Sequence, residues 1–328
     1  MQTPMPDTRT ELSPTSTAPP SLLRAHLRIA RADHWIKNVL VLPGIVVAIN
    51  IDHSVLNAAL PWRVVIGLLA VCLVTSSNYV LNEILDAPSD RAHPVKRLRP
   101  VPSGHVNVPL AYVEWIVLML AGVGLSLLLS TTFLLTMLAL WVMGCVYNIA
   151  PLRIKDLPYV DVLSEAINNP LRMLAGWYLT KTALLPPASL LASYWMIGCY
   201  FMAIKRFAEY RDFSDALQSA IYRKSFAHYN EQKLLVSITF YGSCAMLFFG
   251  AFIMRYRLEL ILAFPLVALL MAMYLSLAFK EHSAVQHPEG LYREPKLMAM
   301  IIACAALMLV LLFVDIPILY HTFVPSVP

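Results

Sequence analysis

Asn82, Asp86 and Asp90 stand at i, i+4 and i+8, just after an apolar run, Val64 to Val80, long enough to belong in a membrane. At roughly 100° per residue they fall within about 80° of one another on a helix. Arg91, His93, Lys96, Arg97 and Arg99 follow at once. Carboxylates able to hold a hard cation thus lie beside cations able to hold phosphate, a pairing suited to a metal-bound diphosphate. A polar helix end with a solvated positive loop would have a similar composition. The weight therefore rests on a second cluster.

That cluster reads Asp161-Val-Leu-Ser-Glu165-Ala-Ile-Asn168-Asn169-Pro170-Leu-Arg172. On one continuous helix, Asp161, Glu165, Asn168 and Arg172 share a stripe about 60° wide. A charge at the centre of a membrane helix costs about 2.5–3.5 kcal/mol even on the lenient insertion scale. The stripe is therefore expected to face a polar cavity. An internal Glu165–Arg172 ion pair is the structural alternative, but it leaves Asp161 and Asn168 unexplained. Two acidic stripes facing one cavity would repel and take up protons unless a cation joined them. Mg2+, which takes a few carboxylates plus phosphate oxygens, would remove that conflict and neutralise a diphosphate leaving group.

The elements that must position these groups follow from the composition. Of 328 residues, 59% are hydrophobic and 14% charged, which excludes an ordinary soluble domain and fits an all-α, polytopic membrane helix bundle. The net charge of +5 does not point to nucleic acid, because the basic residues lie between apolar runs. They fit topology, membrane lipids and phosphate ligands better. The five cysteines all sit in apolar segments without metal-ligand spacing, so they read as small buried hydrophobes.

Residues 1–20, rich in Pro, Ser and Thr, are expected to be a disordered tail with no signal-peptide core. Residues 21–37 mix Leu and Ile with Arg24, Arg28 and Arg31, and predict an amphipathic helix on the membrane surface. Nine apolar runs follow, at 38–52, 63–85, 108–130, 132–149, 158–180, 187–207, 233–254, 257–279 and 297–319, making 38–320 one transmembrane domain before a short tail, 321–328. Pro43 and Gly44 are expected to kink the first helix. With nine spans and a cytoplasmic N-terminus, twenty Lys and Arg lie inside and four outside. That asymmetry supports the count and orientation, and puts the polar loops at 86–107, 150–157 and 208–232 on the cytoplasmic face of the inner membrane.

These residues resemble the UbiA superfamily of intramembrane prenyltransferases. Its first signature, N-D-x-x-D-x-x-x-D, reads here Asn82-Glu83-x-x-Asp86-x-x-x-Asp90, and its later D-x-x-x-D reads Asp161-x-x-x-Glu165. Between them, Tyr147-Asn148-x-x-Pro151-x-Arg153-x-Lys155 is similar to the family's aromatic and basic helix end. Glu83 and Glu165 replace the usual Asp, keeping charge but extending reach by one methylene. Asp90-Arg-x-His93-Pro94-x-Lys96-Arg-x-Arg99-Pro100 and Arg31-x-x-x-Trp35-x-Lys37-Asn38 look most like the decaprenyl-phosphate phosphoribosyltransferase branch. Members of that branch join phosphoribosyl diphosphate to a polyprenyl phosphate. The polar stretch 168–172 departs from that branch and leaves the donor open.

The resemblance implies a Mg2+-dependent transferase whose partners are an isoprenoid or polyprenyl (di)phosphate lipid and a small diphosphate donor or acceptor. Asn82, Asp86, Asp90, Asp161 and Glu165 would bind the metal, the last four as the catalytic set. Lys37, Arg97, Arg99, Tyr147, Lys155 and Arg172 would contact the diphosphate. Lys205, Arg206, Glu209, His228 and Tyr229 would cap the site, or Lys205 and Arg206 would only anchor a helix at the lipid headgroups. Phosphoribosyl transfer, prenyl transfer to an aromatic or other small acceptor, and terpene cyclisation all remain open. The rival class is an ion-coupled transporter, which favours inverted repeats and a midplane site. Here the acids sit at helix ends beside basic loops.

Overall fold

The computed structural model describes residues 21–91, 96–212, 224–280, 283–286 and 288–323. The expected tail at 1–20, His93, residues 213–223 of the loop after helix six and the last five residues lie outside the described residues. Among the described residues every regular element is helical. Eight helical stretches are long and apolar enough to cross a membrane.

The first is Leu22–Ile51, and it is not one smooth helix. Ser21 caps α1 (Leu22–Ile29) by accepting from the backbone N–H of Arg24. The expected surface helix at 21–37 stops early, because Arg31 adopts a left-handed backbone with φ 52°. The chain then coils through a 3-10 segment, Ala32–Val41, into α2 (Leu42–Ile51). Pro43 does not kink α2. It occupies the first turn, where its missing N–H has no partner to lose.

The longest helix, α3 (Leu60–Asp90), is 31 residues long and carries the first acidic motif in its last turns. α4 (Val108–Leu127), capped by Asn107, packs back along it. α5 (Thr131–Asn148), capped by Ser130, packs on both. The buried face of α1, with Ala25 and Ile29, closes against Val80, Ile84 and Ala87 of α3.

The fifth run, expected as one helix over 158–180, is two: α6 (Val160–Ala166) and α7 (Asn168–Leu179). Pro170 explains the break. It has no N–H to give the carbonyl of Ala166, and its ring would collide with that carbonyl in a continuous helix. Neither piece alone is long enough to count as a span, which is why eight stretches qualify where the hydropathy reading placed nine. α7 packs unusually close to α2. A Cβ on Gly44 would lie 2.0 Å from the Met173 carbonyl oxygen, and one on Gly176 would lie 2.0 Å from that of Val41. Only glycine permits this approach.

α8 (Ala188–Arg211) and α9 (Glu231–Tyr256) form the main pair of the second half, followed by α10 (Phe264–Leu277), α11 (Pro295–Phe313) and the short α12 (Pro317–Phe323). One core, around Tyr200, Phe207, Ile238 and Tyr274, joins α8, α9 and α10. Another, around Val71, Phe133, Met137 and Leu179, joins α3, α5 and α7. Leu69, Leu120, Leu247 and Ile302 are among many large apolar side chains exposed on the outside, as lipid-facing helices require.

Candidate active site

Asn82 and Asp86 point from α3 toward the loop that follows α5. The Asp86 carboxylate accepts from Lys155 Nζ at 2.6 Å, from Arg153 at 2.8 Å and from Asn82 Nδ2 at 3.1 Å. Asn148, the last residue of α5, joins them: its side-chain oxygen accepts from Asn82 at 2.6 Å and from Lys155 at 2.7 Å. Arg153 sits at positive φ, which turns the loop back over α3, and its Nε also donates to Asp156. Lys155 is buried, and that burial lowers its pKa below the usual lysine value, with Asp86 opposing the shift.

One turn further on, Asp90 accepts from Arg99 at 2.8 Å. Glu83, written into the motif by its position, faces elsewhere. It is buried and accepts from the backbone N–H of Val101, tying down the α3–α4 loop. Arg97 is exposed, and Lys37 is partly buried near His34.

The second cluster is gathered by α8. Arg206 is 1% exposed and holds three carboxylates: Asp161 at 3.1 Å, Glu165 at 2.9 Å and Glu209 at 3.1 Å. Asp161, 0% exposed, also accepts from Tyr229 Oη at 2.9 Å and Ser225 Oγ at 3.3 Å. Burial and the Asp161 carboxylate push the Tyr229 phenol well above its ordinary pKa, so it stays a donor. Glu165 is the more open member, and it accepts from Tyr147 Oη at 3.2 Å. Tyr147 in turn lies 5.7 Å, ring centroid to Nζ, from Lys155. The two clusters are thereby linked through Tyr147.

Arg172 does not join this network as a partner of Glu165. Arg172 donates instead to Asn38 at 3.0 Å and to the Asn168 carbonyl. Of the expected cap, Arg206, Glu209 and Tyr229 are buried in the second cluster. Lys205 lies 4.0 Å from Glu209, and His228 is exposed. Sequence reading missed Asn148 as a bridge, Arg153 as an Asp86 partner, Asn38 as the holder of Arg172, and the scale of the role of Arg206. Asn148 and Arg153 had a signal, since they flank the motif at Tyr147 and Lys155.

Among the described residues, no three His, Cys, Asp or Glu side chains form a ready metal cage. Asp86 and Asp90 are instead each matched by cations from the following loops, Lys155 and Arg153 for the first and Arg99 for the second. Such a mesh can open for a ligand that brings its own cation and anion: phosphate oxygens take the Lys and Arg, and the carboxylates turn to the metal.

Three comparisons bear on this arrangement. A decaprenyl-phosphate phosphoribosyltransferase of Mycolicibacterium smegmatis is 35% identical over 112 residues, 34% of this chain and 33% of that protein. One from Mycobacterium tuberculosis is 28% identical over 236 residues, 71% of this chain and 76% of that protein. The match thus spans only a third of the first relative and about three quarters of the second. A solved UbiA homologue from Archaeoglobus fulgidus, bound to DMAPP and Mg2+, shares the fold with a TM-score of 0.68 at 19% identity, covering 88% of this chain and 98% of that one. Residues 39–292 match the UbiA prenyltransferase family, and the chain belongs to it.

Proposed function

We propose that this protein is a membrane-embedded, Mg2+-dependent transferase that moves a phosphoribosyl group from a diphosphate donor to a polyprenyl phosphate. The observation that carries the reading is Asp86 held at once by Lys155, Arg153 and Asn82, with Asp90 and Arg99 one turn away. Carboxylates and phosphate-binding cations interleave there at contact distance. The named relatives support the choice of donor and acceptor.

In this reading Asn82, Asp86 and Asp90 would hold Mg2+, a hard cation suited to a few carboxylate and amide oxygens beside phosphate. The metal supplies charge neutralisation to the departing diphosphate. Lys155, Arg153 and Arg99 bind diphosphate oxygens and orient the donor. An oxygen of the lipid phosphate attacks the anomeric carbon as its bond to diphosphate breaks. Positive charge develops at that carbon, and the helix bundle keeps water from capturing it. Asp161 and Glu165 are further candidate ligands of the metal-bound diphosphate; their oxygens contact Arg206, Ser225, Tyr229 and Tyr147, just as those of Asp86 contact Lys155 and Arg153.

The basic loops around residues 86–107 and 150–157 belong, in this reading, to the cytoplasmic face of the inner membrane, with the N-terminus on that side. Counting α6 with α7 as a ninth crossing keeps the alternation. Cysteines placed at Ser103 and Ala227 should then label from the same side, and labelling from opposite sides refutes the orientation.

Diphosphate release by purified protein tests the reaction. Release that needs both phosphoribosyl diphosphate and a polyprenyl phosphate is the expected result. Release from a prenyl diphosphate with a small acceptor supports prenyl transfer instead, a reading favoured by the DMAPP-bound structural neighbour. No release from any of these donors overturns both.

A further inference from the structure

Arg172 and Arg206 are both buried arginines, but they differ in what surrounds them. Arg206 meets three carboxylates. No carboxylate among the described residues lies within ion-pair distance of Arg172. Its Nε donates to Asn38 Oδ1 at 3.0 Å, and a terminal nitrogen reaches the Asn168 carbonyl at 3.4 Å. Tyr79, Tyr194 and Cys72 are its other electrostatic neighbours, and all three are ordinarily neutral.

A guanidinium cannot relieve burial by losing its proton. A buried cation without an anion is costly, and in a membrane bundle it marks a ligand path by default. The surroundings add to the argument. Asn38 is itself 2% exposed and is braced by Cys72 and Thr75, so it presents a fixed oxygen to Arg172. The Asn168 side-chain oxygen is buried with no hydrogen-bond partner. Tyr79 lies within electrostatic reach of Arg172, of Arg31 and of the partly exposed Glu165. Arg31 itself sits 5.5 Å over the Tyr79 ring. The side chains around Arg172 thus bring donors and a second positive charge, and the Asn168 side-chain oxygen is an unused acceptor.

We propose that Arg172, oriented by Asn38, is the cation of a second anion site that takes a phosphate monoester, separate from the diphosphate site at Asp86 and Lys155. Tyr79 precedes Asp86 by seven residues on α3, about 10 Å of helical rise deeper into the bundle. The proposal rests on the transfer reaction above, in which two groups have this chemistry: the phosphate of the polyprenyl lipid and the phosphate on the sugar's far end. The depth favours the lipid, whose chain would continue into the apolar bundle.

The test measures binding to full-length protein in lipid nanodiscs. The probes are farnesyl monophosphate, ribose 5-phosphate, and Mg2+ with inorganic pyrophosphate. The proteins are wild type, Arg172→Gln, Arg172→Lys and Asp86→Asn. Arg172→Gln should weaken one monoester by about thirtyfold while Mg2+-pyrophosphate binding stays within about twofold of wild type. Asp86→Asn should do the reverse. Loss of farnesyl monophosphate assigns the site to the lipid, and loss of ribose 5-phosphate assigns it to the donor. Either supports the site. Unchanged binding of both monoesters overturns it, as does a matching loss of Mg2+-pyrophosphate. Should Arg172→Gln not fold, Arg172→Lys carries the test: it keeps the charge without the guanidinium fork, and binding equal to wild type overturns the site. Wild type that binds Mg2+-pyrophosphate but neither monoester also overturns the site alone. Wild type that binds none of the probes removes the transferase reading together with it.

Discussion

The Arg206 guanidinium and the Asp161 carboxylate form an ion pair, 3.1 Å long, with side chains 1% and 0% exposed. Glu165 and Glu209 lean on the same cation. Replacing Arg206 by Met would leave three acids with no shared counter-charge. We expect a loss of about 3–5 kcal/mol of stability, the usual result of removing one partner from a buried pair. Arg206→Lys should lose less, since it keeps the charge but not the three-way fork. Thermal unfolding of both variants in detergent is the measurement, and melting like wild type would show that the pair does not hold the fold.

Chelation should abolish diphosphate release, and added Mg2+ should restore it. Asp86→Asn keeps the shape but removes a formal charge from the metal side. It should lower kcat roughly a hundredfold, with only partial rescue by extra Mg2+. Arg99→Ala should chiefly raise KM for the donor, because a phosphate contact made before reaction contributes to ground-state binding. Steady-state kinetics on the pair separates the two roles.

Lys155 sets a pH dependence with a definite sign. Burial lowers its pKa below the usual value of 10.5 despite the attraction of Asp86. The neutral amine, which cannot hold phosphate as a cation, therefore forms at lower pH than for an exposed lysine. Donor affinity should fall on the alkaline side before an ordinary lysine would titrate. In Lys155→Arg that limb should move upward, because arginine keeps its proton. A pH profile of kcat/KM identical in the two proteins would remove Lys155 from the binding step.

Gly176→Ala should destabilise the bundle by about 1–3 kcal/mol, the range for overpacking. The added methyl would meet the Val41 carbonyl oxygen, a backbone atom that cannot swing aside. Gly124→Ala is the control, since nothing lies within 4 Å of a methyl there. Equal melting temperatures for the two variants would contradict the α2–α7 contact.

The acidic face of α3 was legible because its spacing, i, i+4 and i+8, is a local property of one helix. Membrane character and most span positions were legible for a similar reason, as each depends on a run of neighbouring residues. Partner choice was not legible. Asp86 finds Lys155 69 positions away, and Asp161 finds Arg206 45 positions away, across helices whose packing no local pattern encodes. The stripe from Asp161 to Arg172 misled about partners, because Arg206 takes Asp161 and Glu165 while Asn38 takes Arg172. Pro170 stood in plain view as the signal for a break, and it outweighed the apolar periodicity around it. Glu83 shows the same limit at smaller scale: its place in the motif suggested the cavity, while its helical angle turned it to Val101.

The break at Ile167 has a consequence for biosynthesis. α6 and α7 are 7 and 12 residues long and carry Asp161, Glu165 and Arg172 between them. Such a segment is a poor substrate for entry into a bilayer by itself. The charge that neutralises its acids, Arg206, is made later, near the end of α8. The ribosome therefore delivers the segment before the partner that makes it compatible with lipid. Insertion of this part of the chain should wait for α8 and proceed as a hairpin, so a released chain truncated after residue 186 should leave 160–179 accessible from the side where synthesis occurs, and one truncated after 230 should not.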